Sequence, residues 1–415
     1  MAGFFDSKEA MDPEERAALQ DACVAKMAEE GYGKAPGFRA LLKGLGIEPA
    51  GIRTAADLEK LPVISREKLV QMQIAEPPYG GLKGGDADVD RVFISPGPVY
   101  EPHLSETDHL WARAYHAAGF RKGDVVVNTF SYHMVAAGLT FHGGLRSCDA
   151  TVVPSGTSGT QVQVELIRDI GVTGYTGTPS FLLAIIRKAE DMGYDMRRDF
   201  RLKRACFAAE PLDPSLRELF ENRYGIETYQ MYGATEVGDV AFECREKSGW
   251  HVCEEVLVEI VDPATGRRTP PGEAGEVVVT RFNSVFFLMR FGTGDLSRII
   301  EEPCGCGRTS VRIAGVMGRI GDAVKVRGMF IAPSQLESLH RRFPEINFQA
   351  AVGRSGHADV LTVRIESDEA GLRALQDRFS EAFRQTCTVK IDRFERAAPG
   401  SLSGAKRLVD ERLRS

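Results

Sequence analysis

A chain of 415 residues with 43% apolar and 27% charged side chains exceeds what one hydrophobic core usually organises, which points to two domains of unequal size and excludes extensive disorder. Its 52 lysines and arginines against 58 acids give a formal charge of -6, so the basic surface with which nucleic-acid binders displace counterions is missing. With no run of about 18 apolar residues, and acids near the start where a signal peptide needs a basic end, the sequence reads as cytoplasmic, with no membrane or nucleic acid as partner.

The first hundred residues alternate charged helical stretches with Gly/Pro breaks; in DPEERAALQDACVAKMAEE apolar positions recur at helical spacing. From Arg121, short apolar runs (VVVNTF, TVVP, RACFAA) alternate with helix-like segments such as SFLLAIIRKAEDM, the pattern of a largely parallel sheet covered on both faces. After Gly249 the chain is strand-rich (VLVEIVDP, GEVVVTRF, FFLMRFGTGDLSRII), with turns such as DPATGRR and PPGEAGE, which suggests an antiparallel subdomain. From about Gly318 it reads strand, helix (PSQLESLHRRF), strand (FQAAVG), strand (DVLTVRIE), helix (EAGLRALQDRFSEAFRQT) and strand (TVKIDRF), a small α+β domain with helices on one face. The expected class is α/β. A large N-terminal domain would span 1–318, with mostly parallel sheets and a β-rich part at about 240–315, and a small C-terminal α+β domain would span 319–415.

Eight cysteines in a chain of this kind stand for reduced thiols or metal ligands rather than disulfides. Cys244, His251, Cys304 and Cys306 offer three thiolates and one imidazole, a closed tetrahedral set suited to a structural zinc ion, with Cys253 as a substitute ligand. Unconnected core or surface thiols are the plainer alternative.

Tyr232-Gly233-Ala234-Thr235-Glu236, followed by Val237-Gly238, comes directly after an apolar run and resembles the Tyr-Gly-x-Thr/Ser-Glu motif of adenylate-forming enzymes. Its chemistry suits a nucleotide: the ring can stack on adenine, Gly lets backbone approach closely, Thr can donate to the α-phosphate, and Glu can hold Mg²⁺. Upstream, Ala208-Ala209-Glu210-Pro211 resembles the family's Gly-Ala-Glu-Pro-like loop against the adenine. Downstream, Arg290-Phe291-Gly292-Thr293-Gly294-Asp295-Leu296 resembles Arg-Tyr-x-Thr-x-Asp-Leu, whose carboxylate accepts both ribose hydroxyls. Asp295 is thus the foremost nucleotide residue, against the alternative of a turn Asp capping a strand end.

Gly318-Arg319, Val324-Lys325-Val326-Arg327-Gly328 and Pro333-Ser334-Gln335-Leu336-Glu337 resemble the hinge and opening of the mobile C-terminal domain of phenylacetate-CoA ligases, within which the Arg319 counterpart helps bind nucleotide. Gly321, with Asp322 beside it, stands where the hinge Asp is usual. That group also has a comparable Cys…His…Cys-x-Cys arrangement, which supports zinc. Phe130-Ser131-Tyr132-His133, Phe141-His142-Gly143, Ser155-Gly156-Thr157-Ser158-Gly159 and Gly177-Thr178-Pro179-Ser180 resemble the acyl-pocket segments, so Tyr132, His133, Phe141, Gly156 and Ala208 are the expected substrate pocket; core aromatics and a buried histidine are the ordinary alternative.

Two segments depart from the family. Its Ser/Thr/Gly-rich phosphate loop with a Lys is replaced by Phe93-Ile94-Ser95-Pro96-Gly97-Pro98-Val99-Tyr100-Glu101-Pro102, in which prolines remove amide donors, Glu101 adds a negative charge and no Lys occurs. At the C-terminus, Gly400-Ser401-Leu402-Ser403-Gly404-Ala405-Lys406-Arg407 is a shortened form of the segment carrying the adenylation lysine; Lys406 takes that role or matches the basic residue just after it. Both changes touch the first half-reaction.

The leading expectation is an acid-CoA ligase that activates a carboxylate, by resemblance an aromatic one, with ATP through an acyl-adenylate and passes it to CoA. Thr235, Glu236 and Lys406 would be the catalytic groups. The alternative is a family member that binds AMP or acyl-CoA and acts as an acyltransferase or a non-adenylating accessory protein. The resemblance implies ATP/AMP, Mg²⁺, CoA and structural Zn²⁺ as cofactors and a small carboxylic acid as partner. A homodimer is an option for which no residue argues.

Overall fold

The computed structural model describes residues 3–95, 98–327, 329–355, 358–387 and 389–412; Pro96 and Gly97 of the phosphate-loop segment, Gly328 of the hinge run and Thr388 at the head of the last expected strand lie outside them. The chain divides into two compact units, one of Met1–Glu259, Val278–Thr293 and Ile300–Gly315, the other of Ile260–Val277, Gly294–Ile299 and Val316–Ser415. It passes from one to the other within the strands Val256–Val261, Gly275–Arg281 and Phe291–Ser297.

The first unit opens with helices. Asp12 starts Pro13–Lys34 by accepting the amides of Glu14 and Glu15, with Pro13 in the first turn, where its missing N–H costs nothing. The left-handed Gly46 ends Pro36–Leu45, and Ser65 caps Arg66–Ala75 by accepting the amide of Lys68. The strands Arg91–Ser95 and Val99–His103 pair as a hairpin.

The main sheet of this unit has two halves. Thr151–Val153, Val125–Asn128, Gly174–Gly177, Arg204–Phe207 and Glu227–Ala234 lie side by side and parallel. From there Gly238–Glu243, Trp250–Val252 and Arg312–Ile313 continue antiparallel. Helices Thr160–Ile170 and Pro179–Asp191 bury Val164, Ile167, Leu182 and Ile186 with Val127 and Phe207 of the strands. The mixed α/β class and the switch from parallel to antiparallel pairing follow the sequence pattern. Because the five parallel strands run the same way, the loops that leave their carboxyl ends, at 129–136, 154–159, 208–213 and 235–237, share one edge of the sheet.

The second unit has its own core. Its sheet has the order Arg393–Ala397, Ala358–Glu366, Phe348–Ser355, Leu408–Asp410, antiparallel in the middle and parallel at both edges. Helices Pro333–Arg342 and Glu369–Cys387 pack Leu336, Leu339, Phe379 and Phe383 against Phe348, Val352, Leu361 and Val363. The last expected strand, TVKIDRF, needs correction, since pairing begins only at Arg393 opposite Thr362. Val389 and Ile391 are buried in the core without joining the ladder, and Asp392 clamps Leu361 instead, its amide donating to the Leu361 carbonyl and its Oδ2 accepting the Leu361 amide at 2.8 Å. Alternation of apolar and polar residues thus marks a buried edge here, not a strand. Among the described residues no helix is long and apolar enough to cross a membrane.

Candidate active site and metal cluster

The Tyr232–Glu236 segment ends one central strand and turns into the next. Gly233 pairs with Asp239 and Ala234 with Gly238, after a register shift at Tyr232/Gly233. A Cβ on Gly233 would stand 2.1 Å from the Gly238 carbonyl oxygen, so only glycine allows the two strands to close here. Gly238 has φ +73°, and a Cβ there would overlap the Arg281 guanidinium, whose Nη1 donates to the Val237 carbonyl at 3.3 Å. Arg281 therefore holds the far side of the turn, a support that no motif announces. The Tyr232 ring is buried and packs on Trp250, centroids 5.8 Å apart. Thr235 Oγ1 donates to Glu236 Oε2 at 3.4 Å, and the Glu236 side chain, with 0% exposure, pairs through Oε1 with Arg66 Nη2 at 2.7 Å.

The 208–211 loop leaves the neighbouring strand. Ala208 is buried, whereas Ala209, Glu210 and Pro211 are exposed. Ala209 takes φ +67°, a left-handed geometry that costs a non-glycine residue about 1 kcal/mol. Glu210 accepts from the Ser180 hydroxyl at 2.8 Å and the Ser180 amide at 3.3 Å, closing the head of the helix Pro179–Asp191.

The expected pocket residues separate. Tyr132 Oη accepts from Asn128 Nδ2 at 2.9 Å and meets His142 Nδ1 at 3.1 Å, while the Gly156 amide donates to the Asn128 carbonyl. Tyr132 and Gly156 are thus gathered on Asn128 at the carboxyl edge. Burial, opposed in part by the Asn128 hydrogen bond, pushes the Tyr132 hydroxyl up to about 12, so it remains a neutral hydrogen-bonding group. Phe141 lies in the core, edge-on to Trp111 and Phe130. His133 is exposed and lines a groove with Ile94, Ser95, Pro98, Ser131 and Met134. Ile94 of the hairpin donates its amide to the Met134 carbonyl at 2.9 Å, which brings the phosphate-loop segment to this same edge.

Within that hairpin Ser95 Oγ donates to Glu101 Oε1 at 2.7 Å, and Glu101 is buried. Burial, and then the neighbouring charge of Glu236, hold the Glu101 carboxyl at about 7 against the pull of the Ser95 hydroxyl. Gln73 bolts the helix Arg66–Ala75 to the hairpin, donating to the Tyr100 carbonyl at 2.8 Å and accepting its amide at 2.9 Å.

In the second unit Asp295 and Arg319 are partners across an antiparallel pair, with Oδ1 to Nη1 at 3.1 Å. Asp295 lies inside a strand rather than at a strand-end turn. Its carboxylate is 15% exposed, whereas Arg319 is 62% exposed and turned to solvent. Gly294, at φ +75°, donates its amide to Glu276 at 3.0 Å. Lys406 is exposed, with its carbonyl accepting from Gln349, whereas Arg407 is held by Glu337 at 2.8 Å and lies over Phe348. Arg290, which belongs to the first unit, is a strut: it is buried, with φ +53°, paired with Glu259 at 3.1 Å and donating to the Leu61 carbonyl at 2.6 Å.

The sulfur and nitrogen set is assembled. Ligand atoms of Cys244, His251, Cys304 and Cys306 all lie within 4.8 Å of one another, with Cys244 to Cys304 at 3.6 Å and Cys306 to His251 Nε2 at 3.4 Å. His251 Nδ1 meets the Ser310 hydroxyl at 3.4 Å, which leaves Nε2 toward the sulfurs. Burial first, and then Arg308 and Arg312, press the imidazole down to about 3, so it is neutral as a ligand must be. Three sulfurs and one nitrogen, mostly buried and with no open corner, fit a structural zinc ion and not a catalytic one. Cys253 is not part of this group; its thiol is buried beside Asp239.

A mixed sheet with a glycine-built Thr-Glu turn, a neighbouring Ala-Glu-Pro loop and a phosphate-loop hairpin along one carboxyl edge defines the large domain of an adenylate-forming enzyme. In agreement, the sequence model of the family described as AMP-binding enzyme matches residues 103–286. Phenylacetate-coenzyme A ligase of Thermus thermophilus is 30% identical, over 90% of this chain and 87% of its own. That of Aromatoleum evansii is 31% identical, over 88% and 84%, and that of Escherichia coli 29%, over 92% and 89%. The chain belongs to the phenylacetate-CoA ligase family. A solved 2-hydroxyisobutyryl-CoA ligase in an open conformation, in complex with 2-HIB-AMP and CoA, shares the fold, with TM-score 0.84, 22% identity and coverage of 97% of this chain and 93% of that one. Family membership favours acid-CoA ligation through an acyl-adenylate over the acyltransferase or accessory alternative.

Proposed function

We propose that this enzyme joins an aromatic carboxylic acid to CoA at the expense of ATP, with the two half-reactions of its family. In the first, a carboxylate oxygen attacks the α-phosphorus, the bond to the bridging oxygen breaks and pyrophosphate leaves. In the second, the CoA thiolate attacks the acyl carbon and AMP leaves. Neither step needs a covalent enzyme intermediate, so the protein's part is placement and charge stabilisation.

Ala209, Glu210, Pro211 and Tyr232 to Ala234 would border the adenine, Thr235 would donate to the α-phosphate, and Asp295 with Arg319 would hold the ribose. Glu236 would carry Mg²⁺, which supplies positive charge to the phosphates. Tyr132 and Gly156 at the carboxyl edge, with Ala208, would border the acid. Phe141, packed behind them, would shape that wall from the core. Lys406 would stabilise the forming acyl-adenylate, since it is exposed while Arg407 is held by Glu337. Cys244, His251, Cys304 and Cys306 would hold zinc as a brace.

The observation that supports this best is the Thr235–Glu236 turn, built by a glycine that nothing can replace and set beside the 208–211 loop on one edge. The test is ATP–pyrophosphate exchange over a panel of arylacetic, benzoic and short aliphatic acids. Exchange with an aromatic acid, lost at least about a hundredfold in Asp295→Ala, is the expected result. Exchange confined to aliphatic acids would remove the aromatic assignment, and no exchange with any acid would remove the adenylation chemistry.

A further inference from the structure

The altered hairpin segment has no lysine for the outer phosphates of ATP, yet a cation already stands next to the turn where they would lie. Arg66 Nη2 is 2.7 Å from Glu236 Oε1, and the two side chains differ in access, Arg66 being 38% exposed and Glu236 0%. The guanidinium is therefore the face of this ion pair that an incoming anion meets first.

Its position is fixed from three sides. Ile64 and Ser65, just before it, pair in parallel with Phe291 and Gly292, and the Ile64 amide donates to the Arg290 carbonyl at 2.9 Å. Ser65 caps the helix that Arg66 begins. Gln73, two turns on, binds both backbone groups of Tyr100, which places the helix against the hairpin immediately before Glu101. One helix thus ties the carboxylate of the nucleotide turn to the segment that has lost its phosphate-binding groups.

We propose that Arg66 is the side chain that binds the β- and γ-phosphates of ATP in this enzyme, its guanidinium turning from Glu236 to the phosphates. This rests on the nucleotide reading given above, in which Glu236 is the residue that would hold magnesium and so would keep a cation beside it. The guanidinium passes from one anion to another, so its own charge stays paired throughout. A planar fork of N–H donors suits a polyphosphate as well as it suits a carboxylate, and it supplies the charge that the replaced lysine would have given.

The experiment is calorimetric titration of the full chain and its Arg66→Ala and Arg66→Lys variants with MgATP and, separately, with AMP, thermal melting being recorded for each. Expected is a tenfold or larger rise in Kd for MgATP in Arg66→Ala, with AMP within about twofold because AMP lacks the two phosphates in question, and an intermediate value in Arg66→Lys. Arg66→Lys keeps a charge against Glu236 and so secures a folded comparison. An unchanged ratio of the two affinities, whether both weaken together or neither moves, overturns the assignment of Arg66 and leaves the nucleotide site standing. Wild-type chain that binds neither nucleotide refutes that site and this proposal with it.

Discussion

At the scale of single residues, what a position does here depends on its neighbours more than on its type. His116 shows this. It is partly buried, its Nδ1 finds no hydrogen-bond partner among the described residues, Phe5 packs edge-on at 5.7 Å, and Arg121 donates to its carbonyl at 2.7 Å. Burial first, then the charges of Arg121 and Arg308, lower its imidazole to about 4 from 6.5. The native state therefore binds fewer protons than the unfolded chain between those values, and the histidine's contribution to stability is present above pH 6.5 and lost as pH falls toward 4. Replacing it with a neutral group, His116→Leu, is expected to flatten the decline, so that the variant gains on the wild type between pH 7 and pH 4.5 in chemical denaturation. An identical pH profile for the two would show that this residue takes no part in acid sensitivity. Sequence could not have singled it out, since a lone histidine in an apolar helix carries no pattern.

The same contrast separates the candidate site residues that were legible in sequence from those that were not. Thr235, Glu236 and Asp295 were legible as candidates because each sits in a compact run that resembles a nucleotide-binding motif. Arg66, Gln73 and Arg281 were not, because each acts on a residue far along the chain, Glu236, Tyr100 and Val237, and no spacing links them. Phe141 and His133, equal candidates by type, are separated by the fold alone, one into the core and the other to the surface.

At the scale of elements, the sulfur loop and the N-terminal segment form one structure. Glu9 pairs with Arg308 at 3.1 Å, the Glu9 carbonyl accepts the Thr309 amide at 3.0 Å, and the Thr309 hydroxyl donates to the Met11 carbonyl at 2.6 Å. Arg16 closes the circuit, pairing with Glu254 at 3.0 Å and donating to the Thr309 carbonyl at 3.0 Å. The residues that follow Cys304 and Cys306 are thus the anchor for the start of the chain. If zinc holds those cysteines, its removal must loosen both ends of the circuit. Chelation, or Cys304→Ser, is expected to lower the melting temperature by about 5–10 °C and to open the first dozen residues to limited proteolysis, with one zinc per chain lost by elemental analysis. Purified protein without zinc, equally resistant to protease, would sink this. The four ligands were readable as a set because cysteine clusters carry chemistry in sequence, but their coupling to Glu9 and Arg16 is purely a matter of folding.

At the scale of the whole molecule, the second unit holds a core that the rest of the chain does not supply. The cluster from Val326 and Ile331 through Leu336, Phe348, Leu361 and Phe379 to Leu408 lies wholly beyond residue 319, as do all four strands of its main sheet. A segment with a closed core and paired strands satisfies the conditions for independent folding, so 319–415 expressed alone is expected to unfold in one cooperative transition. A smaller cluster in the same unit joins Phe330 to Ala274 and Leu296, which such a fragment lacks. Phe330 therefore has different surroundings in the two contexts, since the fragment keeps Ile320 and Ala323 of that cluster but not Ala274 and Leu296: Phe330→Ala should cost the full chain about 3–5 kcal/mol by removing a buried ring, and the fragment clearly less. Equal losses in both would mean that Phe330 is held by the fragment's own residues, and a fragment without a cooperative transition would mean that the core beyond 319 depends on the strands Gly275–Arg281 and Phe291–Ser297. Either result bears on function, because a small domain able to fold alone is the physical precondition for the rotation that the family resemblance implies.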